Sequence, residues 1–196
     1  MEIIALSGYA RAGKDEAAKT LVESFGFIQV AFADKLREML YALDPICGHY
    51  YDSKNPSFVT VQEVIDKRGW DGYKETEYGS EIRRLLQRLG TEAGRQTLWD
   101  SIWIDAAFAN LPEDAKVVVS DARFINEFDA VKSRGGRVWR IERPGIGPVN
   151  DHPSETEAPT YQHFDATLHN DSTLDAWGAR VEAQYIYERM TRESRV

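Results

Sequence analysis

Cysteine is almost absent from the sequence, since Cys47 is the only one in 196 residues. A single thiol excludes an internal disulfide and a metal cluster built on cysteines. Long apolar runs are also absent, and none approaches the ~20 residues that cross a bilayer. The apolar start, Met1–Ser7, is short, lacks a basic leader and leads into a glycine loop, so it predicts a buried strand and not a signal peptide. We therefore expect a cytoplasmic protein without a membrane partner.

Positive charge is scarce as well: 24 lysines and arginines stand against 32 aspartates and glutamates, which gives a net charge of −8 at pH 7. Proteins that bind the backbone of nucleic acids usually have a basic excess or a basic face. The composition therefore argues against a nucleic-acid partner, but it is compatible with a local basic pocket for one small anion. The length suits one compact domain with its own core, so we expect a single domain, 1–196, with inserted pieces.

Apolar segments of strand length alternate with segments of helical pattern along most of the chain. Glu2–Ser7 and Lys116–Ser120 are aliphatic runs of the kind that is buried in parallel sheets. The pattern is completed by predicted strands at Phe27–Phe32, Arg137–Glu142 and Ala166–His169, and by predicted helices from the glycine loop to Phe25, at Asp34–Leu43, at Phe124–Arg134 and after a Ser172 cap. Such alternation predicts a doubly wound α/β sheet whose ligand lies at the carboxyl ends of the strands.

The stretch from Pro45 to Gly79 has a different composition, rich in Gly, Pro, Asn, Asp and Tyr. It contains one predicted helix, which starts with the capping-box pattern Thr60-Val61-Gln62-Glu63. We interpret residues 45–79 as a helical insertion over the sheet, whose aromatic side chains either pack locally or stack on a base. Two further helices are predicted after it, from Ser80 to about Gly90 or Gly94 and over Leu98–Asn110.

The segment between the first strand and the first helix matches the phosphate-binding pattern G-x-x-x-x-G-K over Gly8–Lys14. The glycines let the backbone curl so that its N–H groups point inward, and the helix that follows offers the positive end of its dipole to phosphate. Lys14 can reach the β and γ oxygens of a nucleotide. Together with the flanking strand and helix, the motif predicts a three-layer P-loop NTPase fold with a central parallel sheet. The residues predicted to bind the nucleotide are Gly8, Ala10, Arg11, Ala12, Gly13, Lys14 and Asp15.

Asp15 stands where the pattern normally has serine or threonine. A carboxylate repels phosphate unless a divalent cation lies between them, and carboxylate oxygens suit Mg²⁺. The first interpretation is therefore that Asp15 holds Mg²⁺, directly or through water. The second interpretation is that Asp15 only caps the helix.

A second acidic residue, Asp121, follows the β-branched run that ends at Ser120. An acidic strand end of this kind positions Mg²⁺ or its waters in P-loop enzymes. Arg123 would point into the same cleft, where a guanidinium stabilises the charge of a migrating phosphoryl group. We therefore predict Asp121 as a metal ligand, and Lys14, Asp121 and Arg123 as catalytic residues. The alternative is a purely structural pair between Asp121 and Arg123.

Three arginines, Arg84, Arg88 and Arg95, would share a stripe within about 40° if one helix continued through Gly90 and Gly94. Such a row can hold the phosphate of an acceptor through bidentate hydrogen bonds. A solvated charged face is the commoner use of such residues, and both interpretations stay open.

A loop marked by proline and glycine begins at Arg143 and runs into a polar stretch, and we interpret residues 143–163 as a lid. Closure of the lid would bring Arg143 to the transferred phosphate, so Arg143 is a fourth catalytic candidate. Glu155 and Glu157 either order the lid or contact the acceptor, and simple exposure to solvent is the third interpretation.

With these motifs in place, the chain resembles the bacteriophage deoxynucleoside monophosphate kinases, a branch of the P-loop nucleoside monophosphate kinase-like fold. The likeness covers nearly the whole length. It is carried by Ser7 to Asp15 with its Lys-Asp ending, Phe32-Ala33-Asp34-Lys35-Leu36, the run from Arg83 to Glu92, Ser120-Asp121-Ala122-Arg123 with Glu127, Glu142-Arg143-Pro144-Gly145 and Thr156-Glu157-Ala158.

The resemblance implies ATP and Mg²⁺ as cofactors, a deoxynucleoside monophosphate as the acceptor, and a role in DNA precursor supply during phage growth. It implies that Lys14 and Asp15 contact the donor phosphates and the metal, and that Asp121 and Arg123 lie at the reaction centre. Arg84, Arg88 and Glu127 are implied on the acceptor side, and the insertion 45–79 is expected to cover the base. Further predicted acceptor contacts are Lys35, Arg95, Glu155 and Glu157.

Other functions remain as alternatives. The animal-type phosphomevalonate kinases are similar in the Gly-Lys-Asp loop, the Ser-Asp-x-Arg strand end and a lid with Glu-x-Glu, although the aromatic insertion favours an acceptor with a base. A P-loop ATPase switch needs a fixed attacking water and usually a base-reading motif or an arginine finger from a neighbour, and we identify none in the sequence. The expected partners are small nucleotide substrates, and a homodimer is compatible with the sequence.

Overall fold

The structure is a computed structural model that describes residues 1–52, 55–148 and 156–194. The chain divides into two compact units, one formed by Met1–Phe32 with Phe108–Val196 and the other by Ala33–Ala107. The second unit is larger than the predicted insertion, because it also includes most of the helix before residue 45 and the helices after residue 79. The expectation of a single domain with inserted pieces stays a prediction.

The described elements, in chain order, are β1 (Glu2–Ser7), α1 (Lys14–Phe25), β2 (Ile28–Val30), α2 (Phe32–Leu43), β3 (Ile46–Asp52), β4 (Asn55–Thr60), α3 (Val61–Gly72), α4 (Gly79–Arg88), α5 (Ile102–Phe108), β5 (Lys116–Val119), α6 (Ile125–Ser133), β6 (Arg137–Glu142), β7 (Ala166–His169) and α7 (Leu174–Glu193). A π-helical segment, Leu89–Gln96, follows α4, and single 3-10 turns lie at Tyr73–Glu75 and Ala158–Thr160.

The first unit is built on a five-stranded sheet in the order β2-β5-β1-β6-β7. Every pairing in this sheet is parallel. β1 is the central strand, and Ile4 in it aligns with Val118 of β5 on one side and Arg137 of β6 on the other. Because all strands run the same way, their carboxyl ends form one edge, and the segment that follows β1 leaves from the middle of that edge.

Helices cover both faces of the sheet. Ile4 and Leu6 of β1 pack in one buried cluster with Leu21 of α1 and Trp177 of α7. Successive side chains of a strand point to opposite faces, so Ile3 lies on the other face, where Gly136 fits between it and Val131 of α6. The arrangement is the predicted three-layer α/β fold with a central parallel sheet.

A buried group of charged and polar side chains lies at the amino-terminal edge of the sheet. Arg137 is 4% exposed, and its guanidinium donates to Glu2 at 2.5 Å and to Glu188 of α7. The indole of Trp139 donates to the same carboxylate of Glu188 at 2.9 Å, and the hydroxyl of Tyr185 donates to Glu2 at 3.2 Å. These contacts join β1, β6 and α7 at the edge opposite the carboxyl ends of the strands.

The second unit has its own core and a small antiparallel sheet of β3 and β4. Thr60 and Glu63 form the predicted capping box at the start of α3, which confirms that helix start. Cys47 is buried in a cluster with Leu40, Val61 and Ile82, and burial raises the pKa of its thiol. Cys47 is thus a packed side chain of this core.

Several predicted boundaries hold and others were wrong. β6 and β7 begin and end at the predicted residues, whereas Phe32, predicted as the end of a strand, is the first residue of α2. The last helix is capped by Thr173, whose hydroxyl accepts from the amide of Ala176, and not by Ser172. The hairpin of β3 and β4 was not predicted, because the glycine, proline and asparagine content of that stretch indicates turns more strongly than strands.

In the part of the chain that the structure describes, no helix is both long enough and apolar enough to span a lipid bilayer.

Candidate active site

The loop between β1 and α1 has three residues with positive φ angles, two of them the motif glycines. Gly8, Arg11 and Gly13 have positive φ angles of 139°, 66° and 105°. A Cβ at Gly8 would lie 2.3 Å from the carbonyl oxygen of Ile141, so no larger residue fits there. The two motif glycines are therefore required by the turn, as the pattern predicts.

The loop leads directly into the amino terminus of α1. Gly13 is the N-cap residue, and no side chain caps this helix end. The first amide groups of a helix have no partner within the helix and carry the positive end of its dipole. This helix end is therefore suited to bind a phosphate group.

Lys14 is buried to 8% exposure, and its ammonium group donates to the carbonyl oxygens of Gly8 at 2.8 Å and Tyr9 at 2.9 Å. These two hydrogen bonds hold the side chain back across the loop. The ammonium group of Lys14 is consequently held against the residues that begin the loop, within the segment that cradles phosphates in this motif.

Asp15 lies in the first turn of α1, is exposed, and is not the N-cap residue of the helix. The interpretation of Asp15 as a simple cap is therefore wrong, because Gly13 occupies the cap position. A carboxylate in the first turn is favoured by the helix dipole, and its exposed oxygens suit a hard cation such as Mg²⁺.

Asp121 lies just beyond the carboxyl end of β5 and is half-buried. Its Oδ1 atom accepts a hydrogen bond of 2.8 Å from the amide of Phe32, the first residue of α2. The carboxylate is thereby fixed in orientation at the carboxyl edge of the sheet.

Among the described residues there is no group of three or more His, Cys, Asp or Glu side chains that could hold a metal ion. Mg²⁺ commonly takes only one or two carboxylates and completes its shell with water and substrate phosphate, so Asp15 and Asp121 fit that pattern of ligands.

Arg123 is in a turn whose backbone is held by two carboxylates. Glu127, 3% exposed, accepts from the amides of Arg123 at 2.8 Å and Phe124 at 3.1 Å through one oxygen. Glu157 accepts from the amide of Ile125 at 3.0 Å. The two carboxylates satisfy three successive amides at the start of α6, where the helix dipole favours negative charge.

The turn and the phosphate loop meet at one small cavity. Its lining includes Gly8 and Tyr9 of the loop, Arg123, Arg140 and Pro159. The structure thus brings Arg123 next to the loop that precedes Lys14, although the two segments are more than a hundred residues apart in the sequence.

Arg143 is exposed, and its Nη1 atom lies 3.5 Å from the carbonyl oxygen of Arg11, at hydrogen-bond distance. The start of the predicted lid is therefore adjacent to the phosphate loop. The other end, from Thr156 on, is attached to α6 through Glu157, and Tyr161 packs on Phe128 with ring centroids 4.9 Å apart. Glu155, predicted in the lid, lies outside the described residues.

The remaining predicted acceptor residues, Lys35, Arg84, Arg88 and Arg95, are all in the second unit. Lys35 pairs with Glu38 at 2.6 Å, and Arg84 donates to both oxygens of Glu81 at 2.8 and 2.6 Å. These hydrogen bonds, which Arg84 donates, lower the pKa of Glu81 and raise the pKa of Arg84.

The predicted arginine stripe is altered by the local helix type. The chain stays helical from Gly79 to Gln96, but Leu89–Gln96 is π-helical. A π-helix winds more loosely than an α-helix, so the 40° relationship calculated for Arg95 does not hold.

Arg88 lines an apolar groove with Leu40, Leu43 and Leu85. A separate cavity of about 990 Å³, lined by residues of β4 and α3, contains none of the four predicted acceptor residues in its lining.

Two residues that sequence reasoning missed also contact the loop. The side-chain amide of Asn170 donates to the carbonyl of Ala12 at 2.9 Å, and the indole N–H of Trp177 donates to the carbonyl of Gly13 at 3.2 Å. Neither residue is part of a recognised motif, and only their place after the last parallel strand, at the ligand edge of the sheet, could have pointed to them.

The fold and this site together define a class. A glycine loop with a buried lysine leaves the central strand of a parallel sheet, and an aspartate and an arginine follow the neighbouring strand. This combination defines a P-loop enzyme of the kinase type.

Comparison with known proteins gives the particular family. The sequence profile of the family described as deoxynucleotide monophosphate kinase matches residues 50–181. A protein of Acanthamoeba polyphaga mimivirus, provisionally named a deoxynucleotide monophosphate kinase, is 32% identical over 92% of this chain and 94% of its own length. The deoxynucleotide monophosphate kinase of Escherichia phage RB69 is 22% identical over 93% of this chain and 98% of its own length. The chain belongs to the deoxynucleotide monophosphate kinase family, which confirms the resemblance drawn from its motifs.

Solved structures to which the chain is similar include the shikimate kinase of Bacteroides thetaiotaomicron, with a TM-score of 0.42 and 14% identity over 93% of this chain and 97% of that one. A sugar kinase from a Janibacter species has a TM-score of 0.40 and 13% identity over 91% of this chain and 90% of that one. The strand order of the sheet and the phosphate loop of the chain itself define its fold.

Proposed function

We propose that this chain transfers the γ-phosphoryl group of ATP to a deoxynucleoside monophosphate and releases ADP and the deoxynucleoside diphosphate. As a member of its family, the chain is a nucleotide monophosphate kinase. The observation that supports the donor side best is the common cavity of the phosphate loop and Arg123.

The proposed roles at the donor follow from charge and position. Lys14 and the amides at the start of α1 bind the β and γ oxygens, and Arg123 stabilises the charge that spreads over the migrating group. Arg143 approaches the same group from the start of the lid. Mg²⁺, held by Asp15 and Asp121, would neutralise phosphate charge when bound.

The acceptor needs no strong base, because a phosphate oxygen is already ionised at neutral pH. We propose Lys35, Arg84, Arg88 and Arg95 as the cations that bind the acceptor phosphate, with 45–79 as the segment that covers the base. Glu127 and Glu157 hold backbone amides, and we therefore propose that they position Arg123 instead of contacting the acceptor.

The matched relatives are viral, and we propose that the reaction supplies DNA precursors in the cytoplasm of an infected cell. The proposed partners are small nucleotides, without nucleic acid, and a homodimer is part of the proposal.

The test is release of ADP from ATP and Mg²⁺ with dAMP, dGMP, dCMP, dTMP and phosphomevalonate offered one at a time, and with no acceptor. We expect turnover with at least one deoxynucleotide and little without an acceptor. Turnover with phosphomevalonate alone would favour that second kinase class, and equal ADP release without any acceptor would favour an ATPase. The matched ribonucleotides, AMP, GMP, CMP and UMP, then measure the selectivity for deoxyribose.

A further inference from the structure

Asn170 and Trp177 approach the phosphate loop from the side that faces the protein interior. Asn170 is 8% exposed and Trp177 is 1% exposed. They donate to the carbonyls of Ala12 and Gly13, two consecutive residues of the loop. We refer to Asn170 and Trp177 as the loop-anchoring pair.

The geometry of the peptide bond gives these two contacts a consequence for the loop amides. In a planar trans peptide the C=O and the following N–H point in opposite directions. Fixing the carbonyl of Ala12 therefore fixes the amide of Gly13, and fixing the carbonyl of Gly13 fixes the amide of Lys14. Both amides are therefore directed opposite to the carbonyls that the loop-anchoring pair holds.

The loop-anchoring pair is itself held firmly. The backbone amide of Asn170 donates to the carbonyl of Glu142 at 2.7 Å, which ties it to the end of β6. Arg180 donates to the carbonyl of His169 and to the carboxylate of Asp171 at 2.9 Å, so the residues on both sides of Asn170 are bound to α7. Trp177 packs in the main core cluster with Leu21.

Gly13 fits this arrangement closely. A Cβ at Gly13 would lie 2.3 Å from the side-chain nitrogen Nδ2 of Asn170 and 3.4 Å from the indole nitrogen of Trp177. The glycine is thus required by the close approach of the loop-anchoring pair as well as by its φ of 105°.

We propose that Asn170 and Trp177 are positioning residues that orient the amides of Gly13 and Lys14 for the donor phosphates before the nucleotide binds. The proposal rests on the proposed ATP site and adds two residues to it. The pair acts on donor binding through the backbone, and it touches neither the acceptor nor the transferred group.

The test compares two substitutions that make the same chemical change in the same core. Trp177→Phe removes the indole N–H that contacts Gly13, and Trp139→Phe removes one that contacts Glu188 at the opposite edge of the sheet. We expect Trp177→Phe to weaken ATP binding about three- to tenfold, since the carbonyl of Gly13 loses the indole donor and keeps only the helical hydrogen bond from the amide of Ala17, at 3.1 Å, among its described donors. Trp139→Phe should leave the Kd for ATP within twofold of the wild type. Calorimetric titration measures both, and the KM for the acceptor should change in neither variant.

A readout without nucleotide separates positioning from a loss of stability. With ¹⁵N-labelled glycine and lysine, the amide resonances of Gly13 and Lys14 in the free protein should shift in Trp177→Phe and not in Trp139→Phe. Equal Kd values for ATP in the two variants, or unchanged loop resonances in Trp177→Phe, would overturn the proposal.

A second variant covers the case in which Trp177→Phe does not fold. Asn170→Asp keeps the shape of the side chain but replaces the donor to Ala12 with a carboxylate oxygen, so it should also raise the Kd for ATP by about tenfold or more. Failure of the proposed function is distinguishable: a wild-type protein that binds ATP but phosphorylates no deoxynucleotide contradicts the acceptor assignment and leaves this binding test intact. A wild-type protein that does not bind ATP contradicts both.

Discussion

Glu127 accepts a hydrogen bond of 2.8 Å from the backbone amide of Arg123 through a carboxylate that is almost fully buried. The same oxygen accepts from Phe124, so the turn after β5 is attached to the first turn of α6. The resemblance to phage kinases implied an acceptor contact for Glu127. The geometry instead gives Glu127 a structural contact with the backbone of Arg123, the residue that carries the proposed catalytic guanidinium, and the two roles can be distinguished by measurement.

Replacement of Glu127 by alanine should lower the free energy of unfolding by about 1–3 kcal/mol, because two part-buried amides lose the buried carboxylate that accepts from them. Urea unfolding measures this change. The matched control is Glu113→Ala, which removes an exposed carboxylate and should change stability by less than about 0.5 kcal/mol. If Glu127→Ala were as stable as the wild type and raised only the KM for the acceptor, the contact with substrate would be the correct role.

Replacement of Lys14 by alanine should reduce kcat by about two orders of magnitude or more, because the charge opposite the developing phosphoryl charge is lost. The fold should be retained, as measured by circular dichroism and thermal melting. Lys19→Ala is the control, since Lys19 lies on the same helix but is 57% exposed and pairs only loosely with Glu16, at 3.7 Å. Turnover of Lys14→Ala equal to that of Lys19→Ala would mean that the phosphate loop is not the site of transfer.

Replacement of Arg137 by alanine should destabilise the protein by about 3–5 kcal/mol, because it leaves the carboxylates of Glu2 and Glu188 without the buried guanidinium that binds both. The control is Arg189→Ala, whose ion pair with Glu193 is exposed and contributes less than about 1 kcal/mol. Chemical denaturation of both variants gives the comparison. A loss below 1 kcal/mol in Arg137→Ala would show that this buried group contributes little to stability.

Alkaline pH should destabilise the protein through its buried tyrosines. Burial, followed by the charge of Glu2 and the hydrogen bond to it, raises the pKa of Tyr185 above its usual value of about 10. The unfolded chain then releases its phenolic proton at a lower pH than the folded chain, so the stabilisation is complete below about pH 10 and is lost as pH rises further.

Unfolding free energies measured between pH 8 and 11 should therefore fall more steeply in the wild type than in Tyr185→Phe. Tyr187→Phe is the control, because Tyr187 is 64% exposed on the same helix. A slope in Tyr185→Phe that is as steep as in the wild type and in the control would assign the alkaline loss to other groups.

The phosphate loop and the parallel strands were predictable because each is determined by local sequence. The glycine spacing of the loop allows the positive φ angles that the turn needs. The aliphatic runs of β1 and β5 are typical of strands buried on both faces of a parallel sheet, and both strands are buried after their first residue. β6 was predicted to the residue because Gly135-Gly136 ends the preceding helix and Pro144 follows soon after the strand.

The other features depend on tertiary contacts that no local pattern contains. Trp177 contacts Gly13 across 164 positions of sequence, and nothing near Trp177 indicates a phosphate site. The π-helical turn of Leu89–Gln96 is tied to packing, because Trp103 donates to the carbonyl of Gly90 at 2.8 Å and its ring lies within 3 Å of where a Cβ of Gly94 would be. The position predicted for Arg95 assumed the regular period of an α-helix, and the sequence contains no local sign of the packing that changes it.

The rings of Phe32 and Phe108 pack edge to face with centroids 6.0 Å apart. Phe32 is the last residue of the first unit before the segment 33–107, and Phe108 is the first residue of that unit after it. A short linker could therefore join them without cutting any strand of the five-stranded sheet. The segment 33–107 can therefore be exchanged as one block between related kinases, because its two ends join the first unit at neighbouring residues. The phosphate loop, Asn170 and Trp177 would all stay in the unchanged part of the chain.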